Sequence, residues 1–129
     1  TVVRLGRRVF GKPRTWKEAR RMLEALSGRL HEVWTGFCFI GSAGREATGA
    51  VRSRVRFRVL SAGEIPALAR RMGSLDKAGG YTAEGRASPV SAVGGSFSNV
   101  LGLPLAPVGR FLSRQGLRPC TPLARADHR

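Results

Sequence analysis

His31-Glu32-Val33-Trp34-Thr35-Gly36-Phe37-Cys38-Phe39-Ile40 and, after a turn at Gly41–Gly44, Thr48-Gly49-Ala50-Val51-Arg52-Ser53-Arg54-Val55-Arg56-Phe57-Arg58-Val59-Leu60 decide the fold of this chain. The first run is rich in aromatic and β-branched residues and reads as a strand. The second alternates apolar and charged residues over its later half, the period of a strand with one buried face. Two long strands joined by a glycine-bounded turn predict an antiparallel hairpin. Val51, Val55, Phe57 and Val59 are expected to face the core, and Arg52, Arg54, Arg56 and Arg58 the other side.

Upstream, Val2 to Leu5 and Arg8 to Phe10 flank Gly6-Arg7 and read as a short hairpin ending at Gly11-Lys12-Pro13. Thr15 and Glu18 have the spacing of a capping box, in which the hydroxyl accepts an early helix N–H while the carboxylate reaches back. Trp16, Ala19, Leu23 and Leu26 then recur at helical spacing, and Gly28 is a stop. Downstream, Ser61 and Glu64 repeat the capping pattern ahead of a two-turn helix through Leu68 and Met72, stopped by Gly73. Ser74 to Gly95 reads as loop with one short strand. Pro104 opens a last helix with Leu105, Val108, Phe111 and Leu112 as its apolar stripe. The expected fold class is α/β, a twisted mixed sheet with flanking helices. One domain is expected over residues 1–117, followed by a flexible tail over 118–129.

The chain has 129 residues and 42% hydrophobic content, which suits a globular domain with a real core. No apolar run approaches the roughly 20 residues that cross a bilayer. Cys38 and Cys120 are isolated and form neither a zinc pattern nor a disulfide framework, so a reduced, cytoplasmic setting is expected. The net charge of +15 attracts polyanions such as nucleotides or nucleic acid. Its arginines are scattered over every element, so a compositional bias towards arginine is the plainer source. The Arg52, Arg54, Arg56, Arg58 stripe has the period to track a phosphate backbone, but no aromatic residue is expected on that face. A solvated outer face is the plainer reading, with nucleic-acid binding as the alternative.

Three further segments stand in a fixed order: Gly11-Lys12-Pro13, then Leu75-Asp76-Lys77-Ala78-Gly79-Gly80-Tyr81, then Gly95-Ser96-Phe97-Ser98-Asn99-Val100-Leu101-Gly102-Leu103-Pro104-Leu105. On residue chemistry alone, Lys12 in a Gly-Lys-Pro turn and Lys77 beside two glycines can each set an ammonium against a phosphate. Asp76 can orient Lys77 or help position a hydrated metal. Solvated turn residues, with Tyr81 as packing, would look the same. Asn99 is placed to cap the helix that follows. His31 has no second ligand at a metal-binding spacing, and no Ser-His-Asp or Cys-His arrangement is present.

From Thr1 to about Gln115, this order of segments resembles the Maf-like nucleotide pyrophosphatase family. The resemblance implies a Maf/ITPase-like fold and hydrolysis of nucleoside triphosphates to a monophosphate and pyrophosphate. It implies Mg²⁺ or Mn²⁺ as cofactor, a nucleotide cleft between two lobes and a homodimer. It makes Lys12, Lys77 and Asp76 catalytic candidates, and Thr1, Lys12 and Glu84 substrate-binding candidates. Members favouring thymidine and uridine triphosphates carry Gln where Glu84 stands, whereas Glu suits a base presenting N–H groups. The segments around Asp76 and Ser96 resemble the pyrimidine-type members. The family's general base is an aspartate directly before the residue matching Thr1, and a Ser-x-Ser-Pro-Arg-Arg segment lies further upstream. Neither stands in these residues, and the chain is expected to correspond to the later two-thirds of such a protein. A catalytically inactive remnant that binds RNA or a partner protein is the alternative function.

Overall fold

The computed structural model describes residues 1–118. Apart from Arg118, the expected tail lies outside the described residues, with Cys120 and His128. The elements run β1 (Val2–Leu5), β2 (Arg8–Phe10), α1 (Trp16–Leu26), β3 (Leu30–Ile40), β4 (Glu46–Phe57), α2 (Ile65–Met72), β5 (Val90–Gly94), α3 (Phe97–Val100) and α4 (Leu105–Arg114). Two single 3₁₀ turns, Ser74–Asp76 and Ala78–Gly80, follow α2. The architecture is α/β, with helices packed on a five-stranded sheet in the order β2-β1-β3-β4-β5. Every pairing in that sheet is antiparallel. Among the described residues, no helix is long and apolar enough to cross a membrane.

The β3–β4 hairpin forms as expected, with Leu30 opposite Arg56 and Ile40 opposite Glu46. Its core face carries Val33, Val55 and Phe57, buried against Leu23, Leu26, Ile65 and Leu68 of the helices. The expected inward set needs two corrections. Val51 is only half-buried, and Ser53 is the buried residue beside it. Val59 is 77% exposed, because β4 ends at Phe57 and the alternation ends with it. Leu60 takes the core position, its N–H donating to Ser27 Oγ at 2.7 Å.

Helix α1 starts where the sequence places it. Thr15 Oγ1 accepts from Glu18 N at 3.1 Å, but the Glu18 carboxylate reaches past Thr15 to the N–H of Arg14. Met22 joins Ala19, Leu23 and Leu26 on the buried face, while Trp16 is largely exposed beneath the Arg70 guanidinium. Ser61 and Glu64 make both capping-box bonds, one turn ahead of α2. Gly73 ends α2 in the left-handed conformation. The apolar stripe of α4 is not buried in the core. Instead Phe111 stacks on Phe39, which stacks on Phe37, at centroid distances of 4.6 and 4.9 Å.

The outer sheet face is cationic, but not free of aromatics as expected. Trp34 pairs across from Arg52, whose guanidinium lies 5.8 Å from the indole centroid. Glu32 bridges Arg4 and Arg52 on the same face and accepts from the Trp34 indole N–H. These contacts hold the Glu32 carboxyl below its usual range, the indole bond first and the arginines after it.

Candidate active site

The three segments singled out in the sequence meet around one cleft of about 290 Å³. Val3 and Val33, on neighbouring central strands, form its apolar floor. Asp76 through Ala78 and Tyr81 through Ala83 form one wall; Val100 to Gly102 form the other. Lys12 and Thr1 complete the rim.

A backbone bond joins the first two segments: Gly79 N–H donates to Gly11 carbonyl at 3.0 Å. The 3₁₀ turns are thereby held beside the loop leaving β2, and Lys12 Nζ reaches Asp76 Oδ1 at 3.0 Å. The side chains of this pair are 63% and 84% exposed, so it adds little to stability. For the same reason a phosphate can compete for Lys12 at small cost. Asp76 is held below the usual carboxyl range by the hydrogen bond from Lys12, then by the charges of Lys12 and Lys77. It is thus ionised and weakly basic at neutral pH. Lys12, Asp76 and Lys77 together leave one positive charge in excess at the mouth of an apolar cleft. That arrangement suits an anionic head on a flat, less polar body.

Gly79 and Gly80 have φ of +71° and +76°. A Cβ at Gly79 would stand 2.8 Å from Val3 Cγ2 and 3.2 Å from Tyr81 Cε1, so only glycine lets this wall close on the floor. Tyr81, expected as packing, is buried but also lines the cleft.

The opposite wall is fastened by residues read differently in the sequence. Asn99 does not cap α4, whose first N–H, at Leu105, donates to Ser98 Oγ at 3.1 Å. Ser96 caps the short helix α3, which the sequence pattern does not place, its Oγ accepting from Asn99 N at 3.1 Å. Asn99 is fully buried and donates from Nδ2 to Val33 carbonyl at 3.2 Å and Ser53 Oγ at 3.1 Å. It staples α3, and the Val100–Gly102 wall with it, onto the sheet. Thr35 Oγ1 donates to Asn99 carbonyl at 3.3 Å and lies 2.8 Å from Thr1 Oγ1. This chain of contacts fixes Thr1 at the rim.

Lys12, Asp76, Lys77 and Thr1 are therefore brought together. Glu84 is not among the cleft-lining residues; it is exposed, one position beyond Ala83. Among the described residues, no three His, Cys, Asp or Glu side chains gather as a metal site, and Asp76 is the one carboxylate lining the cleft.

The model of the family described as Maf-like protein matches residues 1–115. The chain is 45% identical over 118 residues to a dTTP/UTP pyrophosphatase of Sphingopyxis alaskensis, covering 91% of this chain and 62% of the relative. It is 49% identical over 118 residues to a protein of the same name from Myxococcus xanthus, covering 91% and 59%. A third of that name, from Thermococcus onnurineus, is 43% identical over 106 residues, covering 81% and 57%. The chain spans about three-fifths of the length of the curated relatives it matches.

Proposed function

Because this chain belongs to the Maf-like family, we propose that its cleft binds nucleoside triphosphates for hydrolysis to a monophosphate and pyrophosphate, with dTTP and UTP as substrates. The observation that carries this reading is the convergence of Lys12 and Lys77, from separate segments, on Asp76 at the mouth of an apolar cleft. The lysines hold the phosphates, Val3, Val33 and Leu101 cover the nucleoside, and Thr1 contacts it at the rim.

In the reaction a water oxygen attacks the α-phosphorus, the bond from that phosphorus to the bridging oxygen breaks, and pyrophosphate leaves. Lys12 and Lys77 stabilise charge on the phosphate oxygens. The water must lose a proton to a base. Asp76 is poorly suited, because Lys12 keeps its carboxylate weakly basic. The family resemblance gives this role to an aspartate directly ahead of the residue matching Thr1. Asp76, the one carboxylate lining the cleft among the described residues, would hold a divalent ion carried by the triphosphate, since Mg²⁺ commonly combines one or two carboxylates with phosphate oxygens. When bound, it would offset phosphate charge.

The test is product analysis with a chain that includes an aspartate ahead of Thr1. UTP or dTTP with Mg²⁺ should yield the monophosphate and pyrophosphate in equal amounts. Release of the diphosphate and inorganic phosphate, or no turnover, would overturn the reading. A second copy of the chain is the expected partner, to be read from sedimentation in the same preparation.

A further inference from the structure

Phosphate binding leaves one buried polar pair behind the cleft wall unexplained. His31, on β3, is 2% exposed, and its Nε2 lies 2.9 Å from Tyr81 Oη. Phe57 meets both rings edge-on, at centroid distances of 4.9 Å from His31 and 4.6 Å from Tyr81. Burial lowers the imidazole pKa to about 4, with the Arg29 backbone offsetting part of that shift. Burial raises the Tyr81 phenol above its ordinary value. At neutral pH both groups are therefore uncharged, and the pair shares a single hydrogen bond.

The direction of that bond follows from proton counting. Among the described residues, Tyr81 Oη makes no other hydrogen bond, so its proton has one acceptor there, His31 Nε2. The ring proton then sits on Nδ1, on the side of the Arg29 backbone, where no hydrogen bond of good geometry forms. A neutral imidazole has one donor and one acceptor nitrogen, so this assignment is complete.

Tyr81 ends the segment that begins at Lys77. Between them lie Ala78 and two glycines, which bring almost no side-chain packing of their own. Among the described residues, four hydrogen bonds tie the segment to its surroundings: Lys77 N–H to Ser74 carbonyl, Gly79 N–H to Gly11 carbonyl, Ser74 Oγ to Gly80 carbonyl, and the Tyr81 hydroxyl to His31. The last is the one anchored in the central sheet.

We propose that His31 is a positioning residue of the cleft: by accepting the Tyr81 hydroxyl it locks the Lys77–Tyr81 segment to β3 and so sets where the Lys77 ammonium stands. This rests on reading the cleft as a triphosphate site. His31 touches no substrate; it acts through Tyr81 and Lys77.

Three chains test it: His31→Phe, which keeps the ring shape without an acceptor; His31→Gln, which restores an acceptor; and His31→Phe in a Lys77→Ala background. The readouts are UTP affinity with Mg²⁺ by calorimetry and hydrogen exchange of the Gly79 amide. His31→Phe should weaken UTP binding about tenfold and speed Gly79 exchange by a similar factor, from loss of one buried hydrogen bond. His31→Gln should recover most of both. In the Lys77→Ala background, His31→Phe should weaken UTP binding no further, because the two act in series. A folded His31→Phe chain with unchanged UTP affinity and Gly79 exchange would overturn the inference. So would an equal, additive loss of affinity in the Lys77→Ala background. If His31→Phe does not fold, Tyr81→Phe removes the same bond and is judged by the same readouts. If the unsubstituted chain binds no UTP, the triphosphate reading fails, while Gly79 exchange still decides whether His31 holds the segment.

Discussion

Lys12 and Asp76 are 64 positions apart, yet their side chains meet at 3.0 Å. The sequence marks each as a charged residue in a glycine-bearing turn. It does not show that Gly79 donates to Gly11 and so draws the turns together. A lysine that touches phosphate through a charge-assisted bond contributes about 1.5–3 kcal/mol, so Lys77→Ala should weaken UTP binding roughly 10–100-fold. Calorimetric titration measures this, and an unchanged dissociation constant would remove Lys77 from the site. Without divalent metal, Asp76→Asn should leave UTP affinity unchanged or tighter, because it releases Lys12 from its partner; with Mg²⁺ it should weaken UTP binding, because the one carboxylate for the ion is lost. Glu84 is exposed and lies outside the cleft lining, which favours a rim charge over a base contact. Glu84→Gln should raise kcat/KM for UTP by about two- to threefold, a surface-pair magnitude. A switch of tenfold or more in preference between UTP and GTP would mean that Glu84 does contact the base.

At the scale of elements, the alternation in β4 and the aromatic run in β3 made the hairpin legible, because a two-residue period has one reading when one face is buried. Val59 was misplaced because the period continues in the sequence past the point where the backbone leaves the sheet. Asn99 differs from its expected role for another reason. The sequence pattern places no helix over Phe97–Val100, so Asn99 stands only as a cap for α4; in the fold that extra turn carries Asn99 beneath it, against the sheet. The buried amide has a measurable consequence. Asn99→Ala leaves Ser53 Oγ and Val33 carbonyl without its donors and unfastens the Val100–Gly102 wall. We expect about 1–3 kcal/mol of lost stability, read as a lower urea midpoint with an unchanged m-value. A midpoint within error of the unsubstituted chain would show that Asn99 is not the staple. The His31–Tyr81 pair was not legible: the sequence marks Tyr81 as packing and His31 only as lacking a metal partner, and nothing in it shows that a strand residue and a loop residue 50 positions apart will meet.

For the whole molecule, the buried imidazole couples stability to pH. The folded pKa of His31 is about 4, against 6.5 for an ordinary histidine. Between those values the unfolded chain binds more protons than the folded one, so stability rises with pH across the window. This contribution is fully present above about pH 6.5 and is lost as pH falls towards 4, amounting to about 3 kcal/mol. His31→Phe should abolish that slope. Urea midpoints at pH 7.5 and 4.5, with and without the substitution, decide it, and an equal slope in both chains would place the titration elsewhere. The net charge of +15 acts at the same scale, drawing anions to the surface in a salt-dependent way without selecting among them. Selectivity has to come from the cleft. In the function proposed above, Lys12 and Lys77 grip the phosphates of a nucleotide there. The most direct measurement of that grip is calorimetric titration of the chain with UTP and Mg²⁺, beside the Lys12→Ala/Lys77→Ala double variant and with uridine as control ligand. UTP binding should be saturable and abolished in the double variant, and uridine should bind far more weakly to both chains. UTP bound equally well by the double variant would contradict the lysine grip.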